Sequence, residues 1–231
     1  MDGVVTQSAT LHAAAWKQLF DHFLQNRLSP GEALKPFTDE DYLRYVDGKP
    51  RYDGVISFLA SREIELPYGD PSDPPTERTV CGLGNSKDTY FGEIVEERGV
   101  QAFASTVDLI HELRAIGIRT GIFSASRNAE AILSAAGVLN LFEARVDGNV
   151  AHELGLPGKP HPATLLELTR RLGAAPARTA VVEDAIAGVQ AGRSGGFALV
   201  IGVNRSATPG RLLDSGADIE VGDLGQVRLE T

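Results

Sequence analysis

Two textures of hydrophobic patterning divide the chain. From Ser8 onward apolar residues recur at helical spacing: Leu11, Ala15, Trp16, Leu19, Phe20, Phe23 and Leu24 fall on one face, and Ser29-Pro30-Gly31 is expected to stop the run. Thr38-Asp39-Glu40-Asp41 reads as an acidic helix start leading into Tyr42, Leu43 and Val46, and Asp47-Gly48-Lys49-Pro50 as a turn. Val55, Ile56 and Leu59 predict another short helix, and Pro67 to Pro75 a loop. Ser86 is a candidate cap for a helix carrying Tyr90, Phe91, Ile94 and Val95. Residues 9–90 therefore read as mostly helical.

Beyond this block the pattern alternates. Val107, Ile110, Leu113 and Ile116 form a helical stripe ending at Gly117, and Ile118 to Phe123 is a short β-rich run. A helix from Ala129 to Ala136, a weak strand at Ala144-Arg145-Val146 and a helix from Pro162 to Leu172 follow. The strand Ala180-Val181-Val182, a helix to Gly192 and the strand Ala198 to Ile201 complete the series. Short apolar strands alternating with helices predict an α/β fold with a parallel sheet covered on both faces. Ligands of such sheets bind beyond the carboxyl ends of the strands, so the polar residues just after each strand become the candidates for chemistry.

Charge narrows the partners. Lys and Arg number 22 against 31 Asp and Glu, giving a net charge of −9 over 231 residues. Such a chain has no electrostatic footprint for nucleic acid or an anionic membrane, and a bound phosphate would need a few placed cations acting against the global field. The single cysteine, Cys81, excludes an internal disulfide and a cysteine zinc cluster, so a reducing cytoplasm is the expected compartment. No stretch approaches the ~20 apolar residues of a membrane span, and the start of the chain predicts no signal peptide.

Four clusters occupy the candidate positions. They are Asp2-Gly3 at the chain start, Ser124-Ala125-Ser126-Arg127-Asn128 after Phe123, Gly158-Lys159-Pro160 before a helix, and Glu183-Asp184 after Val182. Taken singly, an Asp-Gly pair is a turn, Ser124 a cap for the next helix, and Lys159 a solvated loop lysine. Glu183-Asp184 says more. Two carboxylates after a buried strand repel each other and lose hydration unless a cation offsets them, and Mg²⁺, a hard ion taking oxygen ligands, suits that role. A helix N-terminus, which tolerates acids, is the other explanation. His12, His111, His152 and His161 lack metal-ligand spacing, and Trp16 by itself reads as a packing residue of its helix.

The order Asp-Gly, Ser, Lys-Pro, Glu-Asp resembles the haloacid-dehalogenase-like phosphatase superfamily, whose first motif is Asp-x-Asp-Gly and whose Ser/Thr, Lys and acidic motifs follow in that order. The resemblance covers nearly the whole chain. It implies a Rossmann-like parallel-sheet core formed by residues 1–8 and 105–231, with residues 9–104 inserted as a small helical cap. His12 with Ala15-Trp16-Lys17 resembles the start of the cap in the β-phosphoglucomutase-like branch. Ser124 to Asn128 resembles the phosphate-binding loop of that branch, and Glu183 to Gly188 its metal loop. Gly48-Lys49-Pro50-Arg51 falls where the branch has an arginine for the distal phosphate, and Lys87 near its cap lysine.

What the resemblance implies is phosphoryl transfer through an aspartyl phosphate, with Mg²⁺ as cofactor, a small phosphorylated sugar as substrate and glucose 1,6-bisphosphate as activator. Asp2 would be the general acid and base. Ser124, with the backbone of Ala125 and Ser126, would donate to the phosphoryl oxygens, and Lys159 would neutralise the nucleophile and the phosphoryl group. Glu183, Asp184 and the Asp2 carbonyl would hold the metal, while His12, Trp16, Arg51, Lys87, Arg127 and Asn128 would bind substrate. The expected reaction interconverts β-glucose 1-phosphate and glucose 6-phosphate. A sugar phosphatase and an inactive sugar-phosphate-binding relative are the alternatives. One departure stands out: Met1 fills the x of Asp-x-Asp-Gly, which puts the nucleophile one position before Met1 and the first apolar strand upstream of it. A start codon upstream is the expectation, a degenerate relative the alternative.

Overall fold

The computed structural model describes residues 1–27, 35–205 and 209–229, so the expected helix stop at Ser29-Pro30-Gly31 lies outside the described residues. The chain divides into two compact units. One comprises Ala9–Asp47 and Arg51–Gly99; the other comprises Met1–Ser8, Gly48–Pro50 and Val100–Thr231.

The first unit is helical. Helix α1 (Ala9–Gln25) buries Leu11, Ala15, Trp16, Leu19, Phe20, Phe23 and Leu24, the stripe that the helical spacing marks. The acidic start at Thr38 forms a capping box: its hydroxyl accepts from the Asp41 N–H, and the Asp41 carboxylate accepts from the Thr38 N–H. One short turn, α2 (Asp39–Asp41), then widens into a π-helical turn over Tyr42–Val46. Helix α3 (Arg51–Ser61) follows, then the long α4 (Val80–Arg98). Helix α4 begins before Ser86, contrary to the expectation from the sequence. Thr79 caps it by accepting from the Gly82 N–H at 2.9 Å, and Ser86 lies inside the helix with its hydroxyl on the Pro75 carbonyl at 2.5 Å. Glycines at 82 and 84 depress the local helix propensity, and burial of Val80, Cys81 and Leu83 overrides it. Phe20, Phe37 and Phe58 pack ring on ring at 4.0 to 5.1 Å between centroids. Each such ring contributes on the order of 2–3 kcal/mol of burial.

The second unit carries the strands. Helix α5 (Ala104–Ala115) leads to β1 (Gly121–Phe123), α6 (Ala129–Ala135), β2 (Ala144–Val146), α7 (Gly148–Glu153) and α8 (Ala163–Arg171). Then come β3 (Ala180–Glu183), α9 (Ile186–Ser194), β4 (Leu199–Val203) and β5 (Ile219–Val221). All strand pairing is parallel, in two sheets of order β1-β2 and β3-β4-β5. The α/β class expected from the alternating pattern is the class observed. Among the described residues no strand joins β1 to β3.

The sequence reading did not anticipate α7 and β5. Asp147 caps α7 through its carboxylate, which accepts from the N–H groups of Asn149 and Val150, so the Asp-Gly pair opens a helix instead of closing a strand. The short β5 is half exposed, and its pairing to β4 holds it. Leaving and rejoining segments of this unit pair with each other: the Gln7 N–H donates to the Gln101 carbonyl at 2.8 Å, and the Phe103 N–H to the Val5 carbonyl at 2.9 Å.

Candidate active site

In the strand-bearing unit Ser124 lies just past β1, Glu183 ends β3 and Asn204-Arg205 lie just past β4, while Asp2 lies in the opening loop. The opening loop folds on itself. The Met1 carbonyl accepts from the N–H groups of Val4, Val5 and Thr6, and Gly3 adopts φ +69°. A side chain at Gly3 is excluded for a second reason: its Cβ would fall 1.7 Å from Asp184 Oδ2, so the Asp184 carboxylate lies against the Gly3 backbone.

Asp2 is gripped from two directions. Its Oδ1 accepts from Ser8 Oγ at 2.5 Å and its Oδ2 from Ser124 Oγ at 3.3 Å, across 122 residues of chain. Ser8 in turn meets Thr6 Oγ1 at 2.7 Å, and both hydroxyl residues are fully buried. Sequence reasoning missed Thr6 and Ser8. Thr6, Gln7 and Ser8 run as three consecutive polar residues, a pattern that does not mark which of them turn inward. Ser124 does not cap the next helix directly. Its Oγ accepts from the Ser126 N–H at 3.1 Å, Ser126 Oγ accepts from the Asn128 N–H at 3.1 Å, and Asn128 is the residue before α6. The loop Ala125 to Asn128 is half-buried and abuts the start of α7, where the Gly148 N–H donates to the Ser126 carbonyl at 3.1 Å.

Lys159 is no solvated loop lysine. It is buried, and its Nζ lies 3.1 and 3.3 Å from the two oxygens of Glu183 and 4.5 Å from the centre of the Phe123 ring. A buried ion pair with bifurcated geometry answers the desolvation problem posed by Glu183, which is 2% exposed. The two adjacent carboxylates therefore have different neighbours: Glu183 faces Lys159, and Asp184 faces Gly3. Gly188 lets Glu183 fold back under α9, since a Cβ there would fall 2.2 Å from the Glu183 carboxyl carbon. Among the described residues no group of three or more His, Cys, Asp or Glu side chains gathers to hold a metal. The donors on offer, two carboxylates and a backbone carbonyl in the opening loop, are all oxygen, and that chemistry fits a hard divalent cation.

In the helical unit, His12, Trp16 and Lys87 come together. Lys87 Nζ lies 2.7 Å from His12 Nδ1, 4.4 Å from the Phe91 ring centre and 5.8 Å from that of Trp16. The His12 ring stacks on Phe91 at 4.1 Å. Trp16 also packs on Phe20, 5.3 Å between centroids, as a core residue does. Arg51 is the first residue of α3. It donates to Asn85 Oδ1 at 2.9 Å and pairs with the Asp88 carboxylate, while the Tyr52 hydroxyl also reaches Asn85. Asn85 and Asp88 escaped the sequence reading because the spacing between α3 and α4 carries no sign of which side chains meet.

The family model for haloacid dehalogenase-like hydrolases matches residues 1–196. The chain belongs to this family. A β-phosphoglucomutase of Mycobacterium bovis is 41% identical over 232 residues, covering 98% of the chain and 88% of that protein. A trehalose-phosphate phosphatase of Mycobacterium leprae is 38% identical over 131 residues, 55% of the chain and 29% of that protein. The crystal structure of a β-phosphoglucomutase from Clostridium difficile superposes with a TM-score of 0.78 at 22% identity, covering 99% of the chain and 90% of that structure. The chain is thus an enzyme of a haloacid dehalogenase-like family whose relatives include phosphomutases and phosphatases. None of its helices, among the described residues, is long and apolar enough to cross a membrane.

Proposed function

We propose that this family member is a β-phosphoglucomutase-like enzyme interconverting β-glucose 1-phosphate and glucose 6-phosphate through an aspartyl phosphate. The observation that carries the reading is the bond between Asp2 and Ser124, which brings the first two motifs to one point, with Lys159 over the Phe123 ring and Asp184 against Gly3. Attack of a carboxylate on a phosphate dianion sets anion against anion, so cations and donors must meet the phosphoryl oxygens. Ser124 Oγ and the backbone N–H groups of Ala125 and Ser126 supply donors, and Lys159 supplies charge. Asp2, already bonded to two hydroxyls, protonates the leaving sugar oxygen and takes the proton of the incoming one. Glu183, Asp184 and the Asp2 carbonyl would hold Mg²⁺, which when bound adds positive charge at the transferring phosphoryl group. Arg127 and Asn128 are the candidates for the second phosphate in the strand-bearing unit, and Arg51, Lys87, His12 and Trp16 are the substrate-binding candidates of the helical unit.

In this reading the nucleophile is an aspartate immediately before Met1, at the end of an apolar strand. The test compares the 231-residue chain with one extended by such a strand and aspartate. The extended chain should convert β-glucose 1-phosphate to glucose 6-phosphate faster than it releases phosphate, after priming by a trace of glucose 1,6-bisphosphate. Arg51→Ala should slow the mutase reaction more than hydrolysis, because an unanchored bisphosphate escapes and water enters. Dominant phosphate release without priming would transfer the assignment to a sugar phosphatase, the reading that the similarity to trehalose-phosphate phosphatase favours. Full turnover by the 231-residue chain would displace the nucleophile assignment.

A further inference from the structure

Arg205 follows Asn204 after the end of β4, at the carboxyl edge where Ser124 follows β1 and Glu183 ends β3. It reaches across 202 residues of chain to donate from Nε to the Gly3 carbonyl at 3.1 Å. Its Nη1 donates to the Gly222 carbonyl at 3.0 Å and to the Asp223 carboxylate at 3.1 Å. The guanidinium plane sits 3.9 Å from the centre of the Phe103 ring, and Phe103 is itself bonded through its N–H to Val5. One side chain thus ties together the opening loop, the segment that rejoins this unit before α5, and the turn after β5. Asp223 is held below the usual carboxylate range by the Ser105 hydroxyl, the Gly225 N–H and Arg205 itself, with burial opposing, so the counter-charge stays ionised.

The peptide that Arg205 grips is a demanding one. Gly3 sits at positive φ, donates its N–H to the Thr6 carbonyl at 2.8 Å, and separates Asp2 from the Asp184 carboxylate lying on its other side. A half-exposed ion pair such as Arg205–Asp223 does little for global stability. Fixing the carbonyl of the residue next to Asp2 is a local effect, and an error near 1 Å there reaches the chemistry. A planar guanidinium can bond two carbonyls and stack at once, which an ammonium cannot.

We propose that Arg205 is a positioning residue: by holding the Gly3 peptide it sets the Asp2 carboxylate for proton transfer. The proposal rests on the reading of Asp2 as the general acid and base, and the experiment separates the two. In the extended, active chain, Arg205→Met should lower kcat by about 10-fold or more with KM little changed, and should shift the limb of the pH–rate profile that belongs to Asp2. Arg205→Lys should recover part of kcat, because an ammonium can still reach the Gly3 carbonyl. Arg193→Met removes a more exposed arginine of the same unit, paired to Asp218 at 3.2 Å, and should leave kcat and the profile unchanged. In the 231-residue chain itself, amide hydrogen exchange across residues 3–6 should quicken in Arg205→Met and not in Arg193→Met. A wild-type kcat and profile in Arg205→Met, or a loss confined to KM, overturns the positioning role. If the unsubstituted extended chain turns over no sugar phosphate, the functional reading fails, and exchange alone then decides whether Arg205 holds the loop: unchanged exchange refutes that as well.

Discussion

Lys159 and Lys87 are both buried and both lie about one van der Waals contact above a phenylalanine ring, 4.5 Å from Phe123 and 4.4 Å from Phe91. Each also meets groups of a different kind. In the strand-bearing unit Lys159 meets the Glu183 carboxylate, two buried formal charges that cancel. In the helical unit Lys87 meets the imidazole nitrogen of His12 and the faces of Phe91 and Trp16, which accept a cation through lone pair and ring quadrupole. The difference teaches how one chain can bury two lysines by two physical routes. An ion pair is costly to break from either side, because the partner is left charged and desolvated. At Lys87 the ring faces stay packed when the charge is lost, and the buried His12 nitrogen loses a bonding partner.

Substituting Lys159 should therefore have the largest effect. Lys159→Ala is expected to cost about 3–5 kcal/mol in urea unfolding, through the stranded Glu183 carboxylate, and to abolish phosphoryl transfer by 10²-fold or more in the extended chain. Lys159→Met combined with Glu183→Gln should regain most of the stability and none of the activity. A single variant as stable as the parent would remove the ion pair from the account. Lys87→Met should give a milder result: a loss of about 1–3 kcal/mol through the bond missing at the buried His12 nitrogen, since methionine still packs against the rings. Its sugar-phosphate KM should still rise about tenfold, the scale of one lost charged contact. Unfolding as severe as that of Lys159→Ala would erase the contrast between the two units.

The smallest effect concerns Glu220, which anchors the turn after β4. Burial works against its charge, but the Asn204 amide and the N–H groups of Gly210, Leu212 and Leu213 outweigh it and hold the carboxyl below its ordinary 4.5. A depressed folded value stabilises the protein above pH 4.5 and loses that contribution as pH falls through the folded value. Glu220→Gln should lower stability at neutral pH by about 1 kcal/mol and flatten the acid limb of a pH–stability curve, read by thermal unfolding. An unchanged acid limb would show that the turn is anchored some other way.

The helices were legible where burial and periodicity agree, as along α1, and blurred where they conflict, as at the glycine-bearing start of α4. Helix α7 was hidden because a capping aspartate and a turn aspartate look alike in one dimension. Within the candidate site, the motif residues stood out by their place after strands. Arg205 occupies just such a place and was passed over, because a lone arginine after Asn204 carries no pattern until the carbonyl it holds is known.

By itself the sequence determined most of the elements, α7 and β5 apart, and the order of the polar clusters, since both follow from interactions among residues a few positions apart. Family membership was legible in that order too. Tertiary structure alone decided that Glu183 faces Lys159, that Asp2 is bonded by Ser8 and Ser124, that Arg51 is matched by Asp88, and that Arg205 holds Gly3. Apart from the short Asp2–Ser8 link, these pairs lie 24 to 202 residues apart. Hydrophobic spacing fixes which face of an element is buried but is silent on which polar atoms meet at the ends of the strands. Those meetings are set by how the strand ends converge, and there each buried donor or charge must find its partner or lose its hydration without return.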